Sequence, residues 1–206
     1  MRLIILALTL IAIPLAAQAQ QYTLGVHYEQ ISAAPANTDR IEVLEVFNYG
    51  CPHCTSMQPY LIAWQKSRPE IVELKHMPAT FRPDFELYAR GYFAADSLGV
   101  LQQTHAAMFE QASAHRAMVR TIDEVADMYA ALGVDRDKLI AASKSFAVDM
   151  RVREVNKKLP QMKVGRTPGF VVAGKYRVRN ETMRDPADVF KVVDFLVAKE
   201  AAERGI

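Results

Sequence analysis

The two cysteines of this chain lie in one tetrapeptide, Cys51-Pro52-His53-Cys54, and the chain has no others. The tetrapeptide follows the apolar run Val43 to Phe47, which is typical of a buried strand. A strand that leads into C-x-x-C and then a helix places the first cysteine at the helix N-terminus, where unpaired N–H groups and the helix dipole favour a thiolate. The spacing therefore predicts that Cys51 is the nucleophile and that Cys54 resolves its disulfides.

The two residues between the cysteines support this chemistry. Pro52 suits the first helical turn because it has no N–H to leave unpaired. His53 adds an imidazole beside the sulfur, and its cationic form would lower the pKa of Cys51 further. A lowered pKa stabilises the reduced pair, so its disulfide should be easily given away. The motif favours oxidation of other proteins.

A C-x-x-C spacing also occurs in zinc sites, haem attachment sites and structural disulfides. Zinc would need two more ligands, and a haem site needs a histidine where Thr55 stands. The other histidines occur singly and are expected to be surface or packing residues, so no metal site is predicted; they are His27, His76, His105 and His115. A structural disulfide would gain little from so short a loop, but it shares the spacing and remains an alternative.

The N-terminus has the pattern of a secretory signal peptide. Met1-Arg2 precedes an apolar run that ends in Ala17-Gln18-Ala19, a small-residue cleavage site. Cleavage after Ala19 would leave Gln20 to Ile206 as an exported, soluble protein in a compartment where disulfides persist. A membrane anchor is the alternative, but the run is interrupted by Pro14 and is short for a span of roughly 20 residues.

Charge and length exclude some classes of protein. The 206 residues include 25 Lys and Arg against 23 Asp and Glu, well mixed along the chain, which argues against a nucleic-acid partner. The mature chain is long enough for one domain with an insertion and needs no disulfide staples to hold its core. A single C-x-x-C in such an exported chain indicates chemistry rather than a disulfide scaffold.

Periodicity predicts the order β, β-α-β, helices, β-β-α. The first part comprises an edge strand within Tyr22 to Ile31, a turn at Pro35-Ala36-Asn37, a central strand at Ile41 to Asn48, a helix from Pro52 to about Lys66 with a kink at Pro59, and a parallel strand at Ile71 to Met77. Helical periodicity then continues from about 84 to 158, in pieces at Asp84 to Ser97, Leu101 to Gln111, Thr121 to Leu132, Asp135 to Phe146 and Asp149 to Leu159. The last part is a hairpin of Gly169 to Ala173 and Tyr176 to Arg179, turning at Gly174-Lys175, and a helix from Asp185-Pro186 to about Glu203.

One acid interrupts the central strand. Glu45 lies in an otherwise apolar run, six residues before Cys51. A charge inside a buried strand is costly unless it is paired or functional. Glu45 is therefore either a functional residue beneath the cysteines or one half of an ordinary ion pair at the strand end.

The arrangement resembles a known family. A β-α-β unit with C-x-x-C at its helix, followed by a β-β-α unit with Pro168 before its first strand, is the outline of the thioredoxin fold. With the Cys-Pro-His-Cys motif, the helical stretch and the signal peptide, the chain resembles the DsbA family of periplasmic thiol:disulfide oxidoreductases over nearly all of its mature length. The resemblance implies an α/β thioredoxin fold with a large inserted helical subdomain.

The resemblance also implies roles for individual residues. Cys51 and Cys54 match the redox pair. Thr167-Pro168 matches a cis-proline loop that faces the disulfide and offers backbone hydrogen bonds to substrate. Glu45 matches a buried acid, with Lys75 as its charged partner or, alternatively, as a surface lysine.

The implied activity is donation of the Cys51–Cys54 disulfide to reduced, unfolded exported proteins. Reoxidation would fall to a DsbB-type membrane quinone reductase, and a monomer with no bound cofactor is expected in the periplasm. Two departures bear on redox potential and substrate choice: Thr167 stands where valine is common, and Tyr49-Gly50 where bulky aromatics are common.

Two rival functions remain open. An isomerase or reductase of this fold usually dimerises through an added N-terminal domain, and little chain separates Gln20 from the central strand. The second alternative is a binding or chaperone module, in which the cysteines would form only a structural disulfide.

Overall fold

A computed structural model of the protein describes residues 22–31, 39–115 and 117–206. The predicted signal peptide at 1–19 and the predicted turn through Pro35-Ala36-Asn37 lie outside these residues. None of the helices described has the length and apolar character that crossing a membrane requires.

Five strands form one mixed sheet in the order β1-β5-β4-β2-β3. They are β1 (Tyr28–Gln30), β2 (Ile41–Phe47), β3 (Val72–Pro78), β4 (Gly169–Val172) and β5 (Tyr176–Val178). The predicted edge strand is confirmed, although it is shorter than the apolar alternation indicated. The predicted parallel pair of β2 and β3 and the antiparallel hairpin of β4 and β5 are also confirmed. β2 lies between β3 and β4 and is buried along nearly its whole length, as its apolar run predicted.

Seven α-helices accompany the sheet among the described residues. They are α1 (Pro52–Ser67), α2 (Pro83–Ser97), α3 (Leu101–His115), α4 (Ile122–Ala130), α5 (Arg136–Ser143), α6 (Phe146–Gln161) and α7 (Pro186–Arg204), with a short 3-10 turn at Asn180–Thr182 before α7. Pro59 lies inside α1, which continues past it as one helix. The predicted order of strands and helices is confirmed.

Capping residues explain where the helices begin. Thr121 Oγ1 accepts from the N–H of Glu124, and the Glu124 carboxylate accepts from the N–H of Thr121, so the predicted capping box of α4 is confirmed. Ser145 accepts from the N–H of Val148 and caps α6. That cap assigns Phe146 to α6, so the prediction that the preceding helix extends to Phe146 is wrong.

The hairpin turn differs by one residue from the prediction. Ala173 and Gly174 have φ values of 55° and 65°, and the N–H of Lys175 donates to the carbonyl of Val172 at 3.0 Å. Val172 pairs with Tyr176, so three residues, Ala173 to Lys175, connect the two strands. The connection contains the predicted Gly174-Lys175 and begins one residue earlier, at Ala173.

The sheet separates two hydrophobic cores. The scaffold core packs α1 and α7 on the sheet and includes Leu61, Trp64, Phe170, Phe190 and Leu196. The insertion core packs α2 to α6 against β2 and its following loop, and includes Val46, Phe47, Tyr49, Phe93, Phe109 and Tyr129. Both cysteines belong to the insertion core.

Gly91 marks the closest approach of α2 to α4. A Cβ at this position would lie 2.6 Å from Val125 Cγ1 and 3.1 Å from a ring carbon of Tyr129, and both side chains are fully buried. We expect Gly91→Ala to lower the free energy of unfolding by about 1–2 kcal/mol, because overpacking outweighs the gain of about 1 kcal/mol in helix propensity. Denaturant unfolding checks this, with Gly165→Ala as the control because a Cβ there meets nothing within 4 Å. Equal stability of the two variants would contradict the prediction.

Candidate active site

Cys51 and Cys54 occupy the first turn of α1. Cys51 is the N-cap residue with an extended backbone, and its carbonyl accepts from the N–H groups of Cys54 and Thr55. Pro52 fills the first helical position, where its missing N–H leaves no donor unpaired. Both cysteines are free thiols; Cys51 retains 7% exposure whereas Cys54 has none. The helix thus presents the first sulfur to solvent and covers the second, as the spacing predicted.

Hydrogen bonds to the sulfur lower the pKa of Cys51 from 9.0 to about 5. The largest contribution comes from the Cys54 thiol, and the Thr167 side chain and the backbone N–H groups of Cys54 and His53 add to it. Burial opposes these bonds but is outweighed by them. At neutral pH Cys51 is therefore a thiolate.

The pKa of Cys54 moves in the opposite direction. Burial raises it most, and the hydrogen bond to Cys51, the negative charge on Cys51 and the charge of Glu45 raise it further. Cys54 therefore stays a thiol, which is the state in which it can donate to the Cys51 sulfur.

The His53 side chain is exposed, and this residue acts on the Cys51 thiolate through its backbone N–H, which makes the smallest of these hydrogen-bond contributions. The predicted contribution of the cationic imidazole stays a prediction.

The loop before β4 faces the cysteines from the other side of the site. The Thr167–Pro168 peptide bond is cis, as the resemblance implied. The Cys51 thiol is 3.5 Å from the Thr167 carbonyl oxygen, and Asn180 Nδ2 donates to the Pro168 carbonyl at 2.8 Å. Thr167 therefore meets the reactive sulfur through both its side chain and its backbone.

A groove runs from this loop along α1 to the start of α7. Its walls carry both apolar and charged side chains, and its lining includes His53, Met57, Thr167, Pro168, Met183 and Pro186. The cavity measures about 310 Å³. An extended peptide chain bound beside Cys51 would therefore find both backbone and side-chain contacts.

Glu45 is fully buried beneath the site and has two partners. Gln58 Nε2 donates to Oε1 at 3.2 Å, and Oε2 lies 2.7 Å from His76 Nδ1. Glu45 is thus paired with a histidine on the neighbouring strand.

The prediction that Lys75 is the partner of Glu45 is wrong. Lys75 pairs with Glu42 at 2.9 Å and with Glu73 at 3.4 Å. In the parallel register Glu45 lies beside His76, and successive side chains of a strand point to opposite faces. Lys75 therefore points away from Glu45, to the other face of the sheet.

His76 and His105, predicted to be surface or packing residues, lie together beneath the site. Their ring centroids are 4.7 Å apart, and His105 Nδ1 lies 2.7 Å from the hydroxyl of Tyr49. Burial lowers the pKa of His105 to about 3, so its ring is neutral. The strand register could have indicated His76, but nothing in the sequence signals that α3 brings His105 to the same place.

Gly50 explains one departure noted in the sequence. A Cβ at Gly50 would lie 2.7 Å from a ring carbon of Tyr88, which is itself buried. Tyr88 of α2 therefore occupies the space beside Cys51 that a larger residue at position 50 would fill.

Comparisons with known proteins agree with this geometry. The sequence model of the DSBA-like thioredoxin domain matches residues 42–193. The thiol:disulfide interchange protein DsbA of Pseudomonas aeruginosa is 33% identical over 190 residues, which cover 91% of this chain and 90% of that protein. DsbA of Burkholderia cepacia is 33% identical over 80% of this chain and 77% of its own length.

The chain belongs to the DsbA-like thioredoxin domain family. A crystal structure of Pseudomonas aeruginosa DsbA superposes with a TM-score of 0.83 at 32% identity, over 91% of this chain and 99% of that one. DsbA from Xylella fastidiosa gives a TM-score of 0.78 at 33% identity, over 85% of this chain and 96% of that one. The predicted fold class, a thioredoxin fold with an inserted helical subdomain, is confirmed.

Thr167→Val should raise the pKa of Cys51 by about one unit, because the variant keeps the side-chain shape and loses one hydrogen bond to a charged sulfur. The measurement is the rate of alkylation of the reduced protein against pH, with peptide mapping to show that the label is on Cys51. Thr55→Val is the matched control, since the Thr55 hydroxyl bonds Ser113 at 3.3 Å. An unchanged midpoint in Thr167→Val would show that this hydroxyl does not stabilise the thiolate.

Proposed function

We propose that this protein is a thiol:disulfide oxidoreductase that donates its Cys51–Cys54 disulfide to reduced exported proteins during oxidative folding. The observation that carries the proposal is the position of Cys51 at the N-terminus of α1, above a buried Cys54 thiol and against Thr167, where hydrogen bonds lower its pKa to about 5. A thiolate stabilised to this degree favours the reduced pair, so the disulfide is a strong oxidant. The relatives named thiol:disulfide interchange protein support the same activity.

The reaction proceeds by two thiol–disulfide exchanges. A substrate thiolate attacks the Cys51 sulfur, a mixed disulfide forms, and Cys54 leaves and takes up a proton. A second substrate thiolate then attacks the substrate sulfur of the mixed disulfide, which yields the substrate disulfide and the Cys51 thiolate. Two electrons pass from the substrate dithiol to the enzyme pair. The low pKa of Cys51 makes it the better leaving group in this second step.

Glu45 and His76 supply the proton that Cys54 needs. Cys54 is fully buried, so water does not reach its sulfur directly, and the charge of Glu45 acts on its pKa. The Glu45 carboxylate is joined to His76 Nδ1, and the His76 side chain is 22% exposed. The pair therefore connects the buried sulfur to solvent and acts in proton transfer.

Thr167 and Pro168 bind the substrate chain. Thr167 lies against the Cys51 sulfur, and Asn180 holds the Pro168 carbonyl in position. Backbone groups of this loop pair with an extended substrate regardless of its sequence, which suits an enzyme with many unfolded substrates. Pro52 and His53 flank the attack path, with His53 exposed at the groove.

Reoxidation completes the cycle. The reduced pair, a Cys51 thiolate and a Cys54 thiol, gives two electrons and one proton to a DsbB-type membrane quinone reductase, so the protein itself needs no bound cofactor. Such a cycle places the protein in the periplasm, in agreement with the predicted signal peptide. A monomer suffices, because the elements that carry the proposed roles all come from one chain.

The oxidised protein should introduce disulfides into a reduced, unfolded secreted protein, losing one enzyme disulfide for each substrate disulfide formed. Free-thiol titration of both partners measures this stoichiometry.

Cys51→Ser and Cys54→Ser should reduce the rate of disulfide formation to that of the uncatalysed reaction. Glu45→Gln should retain activity with slower exchange. Full activity in either cysteine variant would favour a binding module over an oxidase. The Cys51–Cys54 pair should be reduced in a glutathione buffer, as the disulfide of a strong oxidant is. If the pair stayed oxidised there, the reductase alternative would be favoured.

The Cys51 thiolate should make the stability of the reduced form depend on pH more strongly than that of the oxidised form. Cys51 has a pKa of about 5 when folded and 9.0 ordinarily, so its thiolate stabilises the fold fully above pH 9 and the effect is lost as pH falls through 5. At pH 7 the contribution is about 3 kcal/mol, and Cys54, a thiol in both states, adds none. The difference in unfolding free energy, reduced minus oxidised, should therefore fall by about 3 kcal/mol between pH 7 and pH 4.

Denaturant unfolding of both redox forms at the two pH values provides the measurement. Groups that titrate in both forms cancel in the difference. Cys51→Ser is the control, because it has neither the thiolate nor the disulfide and should follow the oxidised form between the two pH values. A difference that does not change with pH would show that the thiolate does not stabilise the fold.

A further inference from the structure

Three side chains from three separate elements converge beneath the active site. Glu45 comes from β2, His76 from β3 and His105 from α3. One potential ligand atom of each lies within 4.8 Å of the other two. The shortest of these contacts joins Glu45 Oε2 to His76 Nδ1 at 2.7 Å, and the two imidazole centroids are 4.7 Å apart.

His105 presents a nitrogen that the described residues leave without a partner. Its Nε2 is buried and has no hydrogen-bond partner, whereas Nδ1 is bonded to the hydroxyl of Tyr49. A buried polar atom without a partner carries a desolvation cost that a ligand would remove. With the ring proton on Nδ1 and donated to the Tyr49 oxygen, Nε2 offers a lone pair, which is the arrangement that orients metal-binding histidines in proteins.

The surrounding rings fix His105 in this orientation. Phe47, Tyr92 and Phe109 make edge contacts with the imidazole at centroid distances of 5.1, 5.7 and 5.5 Å. An imidazole held in one position is a metal ligand that needs no reorientation.

We propose that Glu45, His76 and His105 form a binding site for a divalent transition metal, with Zn²⁺ as the ion it takes. Two imidazoles and one carboxylate are a donor set that proteins use for zinc with a fourth position left for water. Imidazole-rich sites of this kind prefer zinc and copper to magnesium or calcium. The two cysteines are not part of the site, which distinguishes it from a zinc site built on C-x-x-C.

The ion would take the place of the proton that now joins Glu45 to His76. The carboxylate and the imidazole nitrogen would bind the metal from either side, and that proton would leave to solvent. His76 is 22% exposed on its side chain and provides the route by which the ion reaches the buried carboxylate. The three ligands lie outside the redox pair, although Glu45 and His76 are also the residues proposed to pass a proton to Cys54.

Zinc titration of the oxidised protein tests the proposal. In this form the cysteine sulfurs are joined to each other and cannot supply thiolates, so the competing ligand set is removed. Isothermal calorimetry should show one Zn²⁺ per molecule, with release of protons that depends on the buffer. Magnesium at the same concentrations should give no binding. Co²⁺ should give the visible absorption of a nitrogen- and oxygen-ligated site without a sulfur charge-transfer band.

Variants identify the ligands. His105→Phe keeps a ring among the aromatic side chains and should weaken zinc binding at least tenfold; His115→Phe, at the exposed end of the same helix, should bind as the wild type does. His76→Asn should weaken binding to a similar degree, and it provides a second test if His105→Phe does not fold, as judged by circular dichroism. Absence of binding to the oxidised wild type, or equal binding by His76→Asn and His115→Phe, would overturn the proposal. Binding by the reduced protein alone would assign the metal to the cysteines and overturn it as well.

Discussion

A thiol stabilises a neighbouring thiolate strongly only where water does not compete for its proton. Cys54 meets this condition because the insertion core covers it completely, and its thiol makes the largest contribution to the low pKa of Cys51. Burial raises the pKa of both sulfurs, but only at Cys51 do hydrogen bonds outweigh it. Burial keeps Cys54 protonated, and the protonated Cys54 donates the hydrogen bond that holds Cys51 in the ionised state. Cys51 is therefore the nucleophile and Cys54 the resolving thiol because the two sulfurs differ in burial.

Glu45 shows how the sheet tolerates a carboxylate in its interior. A buried charge without partners would cost several kcal/mol, and here both carboxylate oxygens are bonded, one by Gln58 and one by His76. The partner is a histidine because the parallel register puts position 76 beside position 45 on the same face.

Local signals were enough to predict much of the fold. The C-x-x-C motif, the apolar central strand and the capping box at Thr121 each have a mechanism that operates over a few residues. The start of α6 at Ser145 was missed because Val148, and not Glu or Gln, occupies the third helical position and gives no capping-box signal, and the hairpin turn was placed one residue late because Ala173 adopts a positive φ that alanine rarely has.

Contacts between residues that meet only through tertiary packing could not be predicted from the sequence. Lys75 and His76 are adjacent in the chain, and only the phase of β3 decides which of them faces Glu45. His105 comes from a helix whose docking depends on the whole insertion core. The cluster of Glu45, His76 and His105 therefore has no spacing rule from which it could be predicted.

The membership of the two sulfurs in the insertion core has a consequence for how the protein tolerates change. Cys51 and Cys54 lie at the N-terminus of α1, whose later residues Leu61 and Trp64 belong to the scaffold core. One helix thus has its reactive end in one core and its anchoring end in the other. Sequence drift in α2 to α6 would alter the dielectric surroundings of the sulfurs while the sheet and α7 keep their positions. We therefore expect substitutions in these helices to change the oxidising strength of the pair while the sheet stays in place.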